Sequence, residues 1–369
     1  METKYKTFLI LEFVLMVLAL LFSAGGCERK LGNLPEKAMP TESAEQTQSL
    51  HEAPPAGAEA EELGVIIERN VPVPMRDGVI LRADVYRPDR GGPYPVLVMR
   101  TPYNKVRFSR QCHRLAKAGY IVVCQDVRGL YSSEGKYESY WRFKTHDGED
   151  GYDTVQWAAK LPGSTGKVGT FGGSYMALLQ WRLAALHPPS LVAMSAHNVM
   201  ARFEHEQGTL RPSFRFMVLH APEMRRRANR PGVHTVWEAQ KLLAAGESEK
   251  WRNWLPWLEL PREFFEDETE AVHYWLRNPH KDPWRLDECC KETTVPNLDI
   301  LGWYDHCLGD VLLFRTMVKE AKTEIARKGS RVIIGPWRHG SAGRRFGNID
   351  FGPDAELDIA ALQIRWFDY

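Results

Sequence analysis

Two uninterrupted apolar runs, Val96-Leu97-Val98-Met99 and Ile121-Val122-Val123-Cys124, do most to limit the fold. Each is too short for a buried helix and lacks polar alternation, so each reads as a strand covered on both faces. Between and beyond them the period changes to helical and back. Arg110–Ala118 has a helical pattern that stops at Gly119, and Asp150–Lys160 opens with acids in its first turn. Lys167–Phe171 is strand-like and runs into a helix that extends from Ser174 to about His187. Leu191–Ser195, Leu298–Leu301 and Arg331–Ile334 are further strands, with a helix predicted from about Asp310 to Arg327. Upstream, Val65–Ile67, Val71–Val73 and Val79–Tyr86 alternate around the turn Arg76-Asp77-Gly78, which predicts a hairpin. Strands alternating with helices specify an α/β fold, a mostly parallel sheet with helices on both faces.

The alternation lapses between about Val199 and Glu288. That stretch is helical in composition and holds Trp237, Trp251, Trp254, Trp257, Trp275 and Trp284, half of the chain's 12 tryptophans. An insertion there, near the carboxyl ends of the strands, predicts a helical cap. Most of its Trp side chains are expected to pack its helices. The folded part therefore divides into a first core segment 65–198, a cap 199–290 and a second core segment 291–369. With 44% hydrophobic and 26% charged residues over 369 positions, the chain has the material for a large core. Its net charge of +1 argues against nucleic acid as a partner.

The first 64 residues belong to no such layer. Lys4 and Lys6 precede an apolar run from Phe8 to Phe22 interrupted only by Glu12, too short for the roughly 20 residues of a membrane span. Small residues Ser23-Ala24-Gly25-Gly26 follow, then Cys27. Residues 1–26 thus read as an export signal. The junction is similar to a bacterial lipoprotein signal, with Ala24 where Leu is usual. In that reading Cys27 is lipidated and the exported protein is anchored to a membrane, facing the periplasm or the cell exterior. Residues 27–64, rich in Glu, Ala and Pro, read as a flexible tether.

The chemistry-bearing residues fall on loops after strands. Ser174 follows Gly172-Gly173 where a strand turns into a helix, which puts a hydroxyl on a tight turn and the Tyr175 N–H at a helix start. Met176 stands where a Gly is usual two residues after such a serine. Asp305 follows the strand Leu298–Leu301, and His339 follows Arg331–Ile334. The chain order Ser, Asp, His is that of α/β hydrolases. The roles are complementary: a serine needs a base, a histidine can serve near neutral pH, and a buried carboxylate orients it. Asp126 and Arg128, which follow a strand, could touch substrate but read as a structural ion pair near a turn. His306 sits beside Asp305 but is expected to point elsewhere. Cys112, Cys124, Cys289, Cys290 and Cys307 lack C-x-x-C spacing, and the histidines lack H-E-x-x-H spacing, so no metal is expected. The acidic run Glu263, Glu266, Asp267, Glu268 and Glu270 reads as a solvated helix face.

Several motifs together extend this reading. They are Met75-Arg76-Asp77-Gly78, Arg100-Thr101-Pro102-Tyr103, Gln125-Asp126-Val127-Arg128-Gly129, Ser133-Glu134-Gly135, Gly172-Gly173-Ser174-Tyr175, Gly302-Trp303-Tyr304-Asp305 and Gly335-Pro336-Trp337-Arg338-His339. With them the sequence from about Val71 to Tyr369 resembles the CocE/NonD serine hydrolases, the cocaine esterase and X-prolyl dipeptidyl-peptidase group. In that family's Gly-x-Ser-Tyr-x-Gly motif Met176 fits, and Ala177 replaces the last Gly. The resemblance implies an α/β-hydrolase fold with Ser174 as nucleophile, His339 as base and Asp305 as its orienter. It further implies an oxyanion hole formed by the Tyr103 hydroxyl and the Tyr175 N–H. No cofactor is implied. Members of the family continue into a jelly-roll β-domain. This sequence stops at Trp366-Phe367-Asp368-Tyr369, so that domain is expected to be absent: the sequence is a fragment that lacks the β-domain, the gene is truncated, or a partner covers the exposed core face.

These readings predict hydrolysis of a small carboxylic ester or acyl amide through an acyl-enzyme. One alternative is X-Pro dipeptide release in the same site, which needs an acidic anchor for a free amine and a proline pocket. Another, of a different class, is a catalytically silent truncated lipoprotein or binding module.

Overall fold

The computed structural model describes residues 63–369 apart from 139–141, 143, 200, 203–253, 263–268, 279–280, 282–283, 306 and 341. The expected export signal, Cys27 and most of the expected tether lie outside the described residues. So do His306, much of the expected cap, and Glu263, Glu266, Asp267 and Glu268 of the acidic run.

Strands β1 (Val65–Pro74) and β2 (Ile80–Pro88) pair antiparallel. Gly78 closes their turn at φ 85°, while the Met75 amide donates to the Val79 carbonyl at 2.8 Å. The two short strands expected before the turn are one strand, whose register slips between Glu68 and Val71 where Asn70 adopts φ 53°. β3 (Tyr94–Thr101), α1 (Ser109–Lys117), β4 (Ile121–Asp126), α2 (Asp147–Ala158), β5 (Ser164–Gly173), α3 (Tyr175–Ala184) and β6 (Leu191–His197) follow in regular alternation. α2 starts three residues earlier than expected, because Asp147 is held at its first turn by Arg182 at 2.7 Å.

The alternation along β3 shows why its apolar run is unbroken. Val96 and Val98 enter a core with Val155, Leu178 and Leu183 of α2 and α3, while Leu97 and Met99 enter another with Cys112 and Leu115 of α1. Side chains of period two feed both faces, so no position is left for a polar residue.

Between β6 and β7 (Leu298–Gly302), the described residues include α4 (Thr269–Arg277) and α5 (Leu286–Glu292). Val272, Leu286 and Cys290 join the α2–α3 core, and Trp257 and Trp284 pack on it, while Trp254 is exposed. α6 (Cys307–Glu320), α7 (Glu324–Gly329), β8 (Arg331–Gly335), the small hairpin of β9 (Arg345–Phe346) and β10 (Ile349–Asp350), and α8 (Ile359–Asp368) complete the chain. The single helix expected over Asp310–Arg327 is thus two. Thr323 breaks it: its hydroxyl caps α7 by accepting the Ala326 N–H at 3.2 Å and donates to the Thr294 carbonyl at 2.6 Å.

Strands β1-β2-β4-β3-β5-β6 form one sheet and β7-β8 another pair. Asn297 joins them, its side chain accepting the Ala196 N–H at 2.8 Å and donating to the Ala196 carbonyl at 3.0 Å, beside a parallel Met194–Asn297 bridge. The result is a continuous order 1-2-4-3-5-6-7-8 in which β2 alone runs antiparallel to the other strands. The carboxyl ends of β3, β5, β6, β7 and β8 consequently meet along one edge.

Candidate active site

β5 ends at Gly173, and α3 begins at Tyr175, leaving Ser174 alone on the corner at φ 61°, ψ −131°. A non-glycine residue held there stores about 1–3 kcal/mol of backbone strain, which the surroundings must impose. The Ser174 N–H donates to the His197 carbonyl at 2.9 Å, and the Ser174 carbonyl accepts the Ala177 N–H at 2.9 Å. Gln180 of α3 reaches back to the Gly172 carbonyl at 2.9 Å. Both glycines are required: a Cβ at 172, where φ is 133°, would stand 2.8 Å from Met176 Cβ, and one at 173 would stand 2.8 Å from the His197 ring. Met176, at the usual Gly position, packs in the core beside α1 with its Cβ close to Gly172.

Asp305 and His339 approach Ser174 from loops that are tied together. The Trp303 N–H donates to the Gly335 carbonyl at 2.8 Å, and the Tyr304 N–H donates to the Trp337 carbonyl at 2.9 Å. This stitching leaves no room for a side chain at Gly302, where a Cβ would meet the Trp337 carbonyl at 2.4 Å. His339 Nε2 lies 2.9 Å from Ser174 Oγ, and its Nδ1 lies 2.9 Å and 3.0 Å from the two Asp305 oxygens. The Asp305 side chain is 3% exposed, whereas that of His339 is 46% exposed. A buried carboxylate on Nδ1 favours the tautomer whose Nε2 can accept a proton from the hydroxyl.

Two residues in this arrangement were not singled out from the sequence. Asn198, at φ 55°, donates from Nδ2 to Asp305 Oδ2 at 2.8 Å. His197 is buried beside the corner with Nδ1 3.2 Å from the Ser195 carbonyl, and desolvation pushes its pKa down to about 4. It is therefore neutral at neutral pH. Both stand at the carboxyl end of β6, the same kind of position that drew attention to Asp305, and that was the available signal.

Tyr103 sits on the loop two residues past β3, the strand beside β5, with its N–H on Thr101 Oγ1 at 3.0 Å and its side chain packed against the α2–α3 core. Tyr175 turns its phenol into the core, where burial holds its pKa well above the ordinary tyrosine range. Its side chain is thus directed away from Ser174, and the group it brings to the corner is the backbone amide at the start of α3. Asp126 and Arg128 are structural, though not paired with each other. Asp126 binds Lys105 Nζ at 2.7 Å, and Arg128 binds Asp150 at 2.6 Å and Asp77 at 2.8 Å. Burial pushes the thiols of Cys289, to about 11, and Cys290 upward, away from reactivity. Among the described residues, no group of three or more His, Cys, Asp or Glu is placed to hold a metal.

Comparison with known proteins agrees with this architecture. Cocaine esterase of Rhodococcus sp. (strain MB1 Bresler) is 28% identical over 323 residues, covering 79% of this chain and 52% of that protein. The chain therefore spans about half the length of the curated relative it matches. An aminopeptidase from a marine sediment Thaumarchaeota archaeon superposes with a TM-score of 0.54 at 22% identity, over 84% of this chain and 55% of that one. An alpha-amino acid ester hydrolase superposes with a TM-score of 0.53 at 22% identity, over 86% of this chain and 55% of the other. These two show the shared fold. Residues 77–341 match the sequence pattern of the X-Pro dipeptidyl-peptidase (S15) family. Because that match runs through both halves of the sheet and all the loops at its carboxyl edge, the chain belongs to this family, in its CocE/NonD group, and is an α/β hydrolase.

Proposed function

We propose that the protein is a serine hydrolase that cleaves carboxylic ester or acyl-amide bonds through an acyl-enzyme. The observation that carries this reading is the unbroken hydrogen-bonded line from Ser174 Oγ through the His339 ring to Asp305. Ser174 attacks the carbonyl carbon while His339 Nε2 takes its proton, and Asp305 stabilises the imidazolium that forms. The proton then passes to the leaving alcohol or amine. Water repeats the sequence to release the acid. The oxyanion is held by the Tyr175 N–H and the Tyr103 hydroxyl. Donors of this kind contribute about 2.7–4 kcal/mol each to such transition states. X-Pro dipeptide release in the same site is a second reading, favoured by the family pattern over residues 77–341. Export and lipidation at Cys27 are part of the same proposal. A membrane-fraction signal lost in Cys27→Ala supports the anchor, and one kept in that variant refutes it.

The test is fluorophosphonate labelling of the full chain beside Ser174→Ala, with p-nitrophenyl butyrate and a Gly-Pro anilide as substrates. The label is expected on Ser174 and absent from the variant, with hydrolysis of the ester falling at least about 10³-fold. Preference for the anilide selects the peptidase reading. A folded wild-type chain that takes no label and cleaves neither substrate is the silent protein.

A further inference from the structure

Tyr103 stands at the crown of a short arch, residues 101–105, whose two feet are both fastened at the end of β4. Thr101 closes β3 opposite Asp126 of β4 in parallel register, and its carbonyl accepts the Val127 N–H at 3.1 Å. That is the near foot. The far foot is Lys105, where a single helical turn, Lys105–Phe108, begins. The Lys105 backbone N–H donates to Asp126 Oδ1 at 2.8 Å, and Lys105 Nζ donates to Asp126 Oδ2 at 2.7 Å. One carboxylate thus grips both the main chain and the side chain of the same residue. Lys105 Nζ also reaches Ser132 Oγ at 3.2 Å. Between the feet, the Tyr103 N–H is held by Thr101 Oγ1 at 3.0 Å. Asn104 adopts φ 72°, with its Oδ1 accepting the Val106 N–H at 3.1 Å. The ring of Pro102 fixes one further dihedral, so the chain at Tyr103 has few ways to move.

The far foot is costly to bury. Lys105 is 2% exposed and Asp126 0%. A buried ion pair offsets its desolvation only when its geometry is good, and a well-packed apolar pair in the same place is often as stable or more so. Stability alone therefore does not account for it. An apolar side chain at position 126 could fill the space, but it could not accept the Lys105 N–H. A carboxylate without a cation could accept it, but would leave a bare charge in the interior. With the ammonium in place the charge is matched, and what the pair adds beyond packing is a fixed position for residue 105. Both groups are enclosed, so they position and do not react.

We propose that Asp126, neutralised by Lys105, is a positioning residue for Tyr103: it fastens the far foot of the arch and so holds the Tyr103 hydroxyl where the oxyanion forms. The use of that hydroxyl rests on the hydrolase reading above, whereas the fastening does not.

Two double variants of the full chain separate fastening from charge. Lys105→Met/Asp126→Asn has no buried charge at the foot and keeps an oxygen for the N–H of residue 105. Lys105→Met/Asp126→Leu also has no buried charge there but lacks that oxygen. With p-nitrophenyl butyrate, the second is expected to lower kcat about tenfold or more with little change in KM, as a slightly misplaced catalytic group does. The first should restore kcat to near wild type. Tyr103→Phe alone should lower kcat by about 10²-fold or more. In that background the second double variant should cost little further, because the group it displaces is already gone. Wild-type kcat in the folded second variant overturns the proposal. So does an equal loss with and without the Tyr103 hydroxyl, which would mean that the foot acts on something else. Amide exchange needs no variant: the wild-type Lys105 amide should exchange as slowly as those of β4, and exchange at the rate of an open loop overturns the fastening. Wild-type kcat in Tyr103→Phe removes the oxyanion role and the proposal with it. Hydrolysis that persists in Ser174→Ala instead removes the hydrolase reading itself, and exchange at Lys105 still decides whether the arch is fastened.

Discussion

Asn198 shows how much a single side chain can do at the end of a strand. It adopts the left-handed backbone conformation, which asparagine tolerates better than most residues, and from there its amide reaches Asp305. Replacing it with Ala would mix backbone strain with the lost hydrogen bond, whereas Gly accepts φ 55° and removes only the donor. Asn198→Gly is expected to lower kcat by about tenfold with little change in KM, the size typical of losing a partner that orients a catalytic ligand. Steady-state kinetics with a melting curve checks this. An unchanged kcat would mean that Asp305 is held well enough by its own loop. Sequence reasoning named Ser174, Asp305 and His339 because each residue type has a specific chemical task and each follows a strand. It did not name Asn198 or His197, whose tasks exist only because β6 ends against the corner and the Asp305 loop.

At the scale of elements, the C-terminal helix is tied to its neighbours by a few polar contacts and by apolar side chains on two clusters, with Ile359, Leu362 and Trp366 packing beside Leu298, Ile300 and Trp337. Asp358 caps α8 by accepting the Ala361 N–H at 3.1 Å and pairs with Arg114 of α1 at 2.6 Å. Ile364 and Phe367 pack against the core beside α1. The Arg114 guanidinium, with the cap amides, holds the Asp358 carboxyl below its usual range. A depressed carboxyl contributes stability that is present at neutral pH and lost as pH falls below its ordinary value of about 4. Because the ion pair is exposed, the cap is the larger part, about 0.5–2 kcal/mol. Asp358→Ala is thus expected to lower hydrogen-exchange protection across α8 at pH 7 while leaving β4 unchanged. Wild type should lose the same protection as pH falls from 5 towards 3, and the variant should show little further loss. The types of most described elements were readable from period and length, but their ends and breaks were not. The break between α6 and α7 depends on Thr323 meeting the Thr294 carbonyl, a partner 29 residues away.

At the scale of the whole molecule, buried charges link parts of the chain that periodicity treats separately. Arg128, just past β4, binds Asp150 of α2 and Asp77 in the β1–β2 turn, and both carboxylates raise its pKa further. Asp150 is 2% exposed, and its remaining cation, Arg100, is 3.7 Å away. Arg128→Met should therefore cost about 3–5 kcal/mol, as expected when a buried carboxylate loses its main partner. Urea denaturation measures it, and a loss below about 1 kcal/mol would reduce the pair to the weight of a surface salt bridge. The same long-range logic governs the site. Local sequence alone determined that the chain alternates strands and helices, that the central strands β3 and β4 are buried on both faces, and that a serine, an aspartate and a histidine follow three strands. Those properties depend on side-chain period and turn chemistry, which act within a few residues. Only the tertiary structure decided that the sheet continues through Asn297, that Ser174 and His339 meet at 2.9 Å across 165 residues, and that the Asp305 carboxylate is buried against the Asn198 amide. Distances and burial of that kind depend on which distant segments pack together, and no local pattern encodes them.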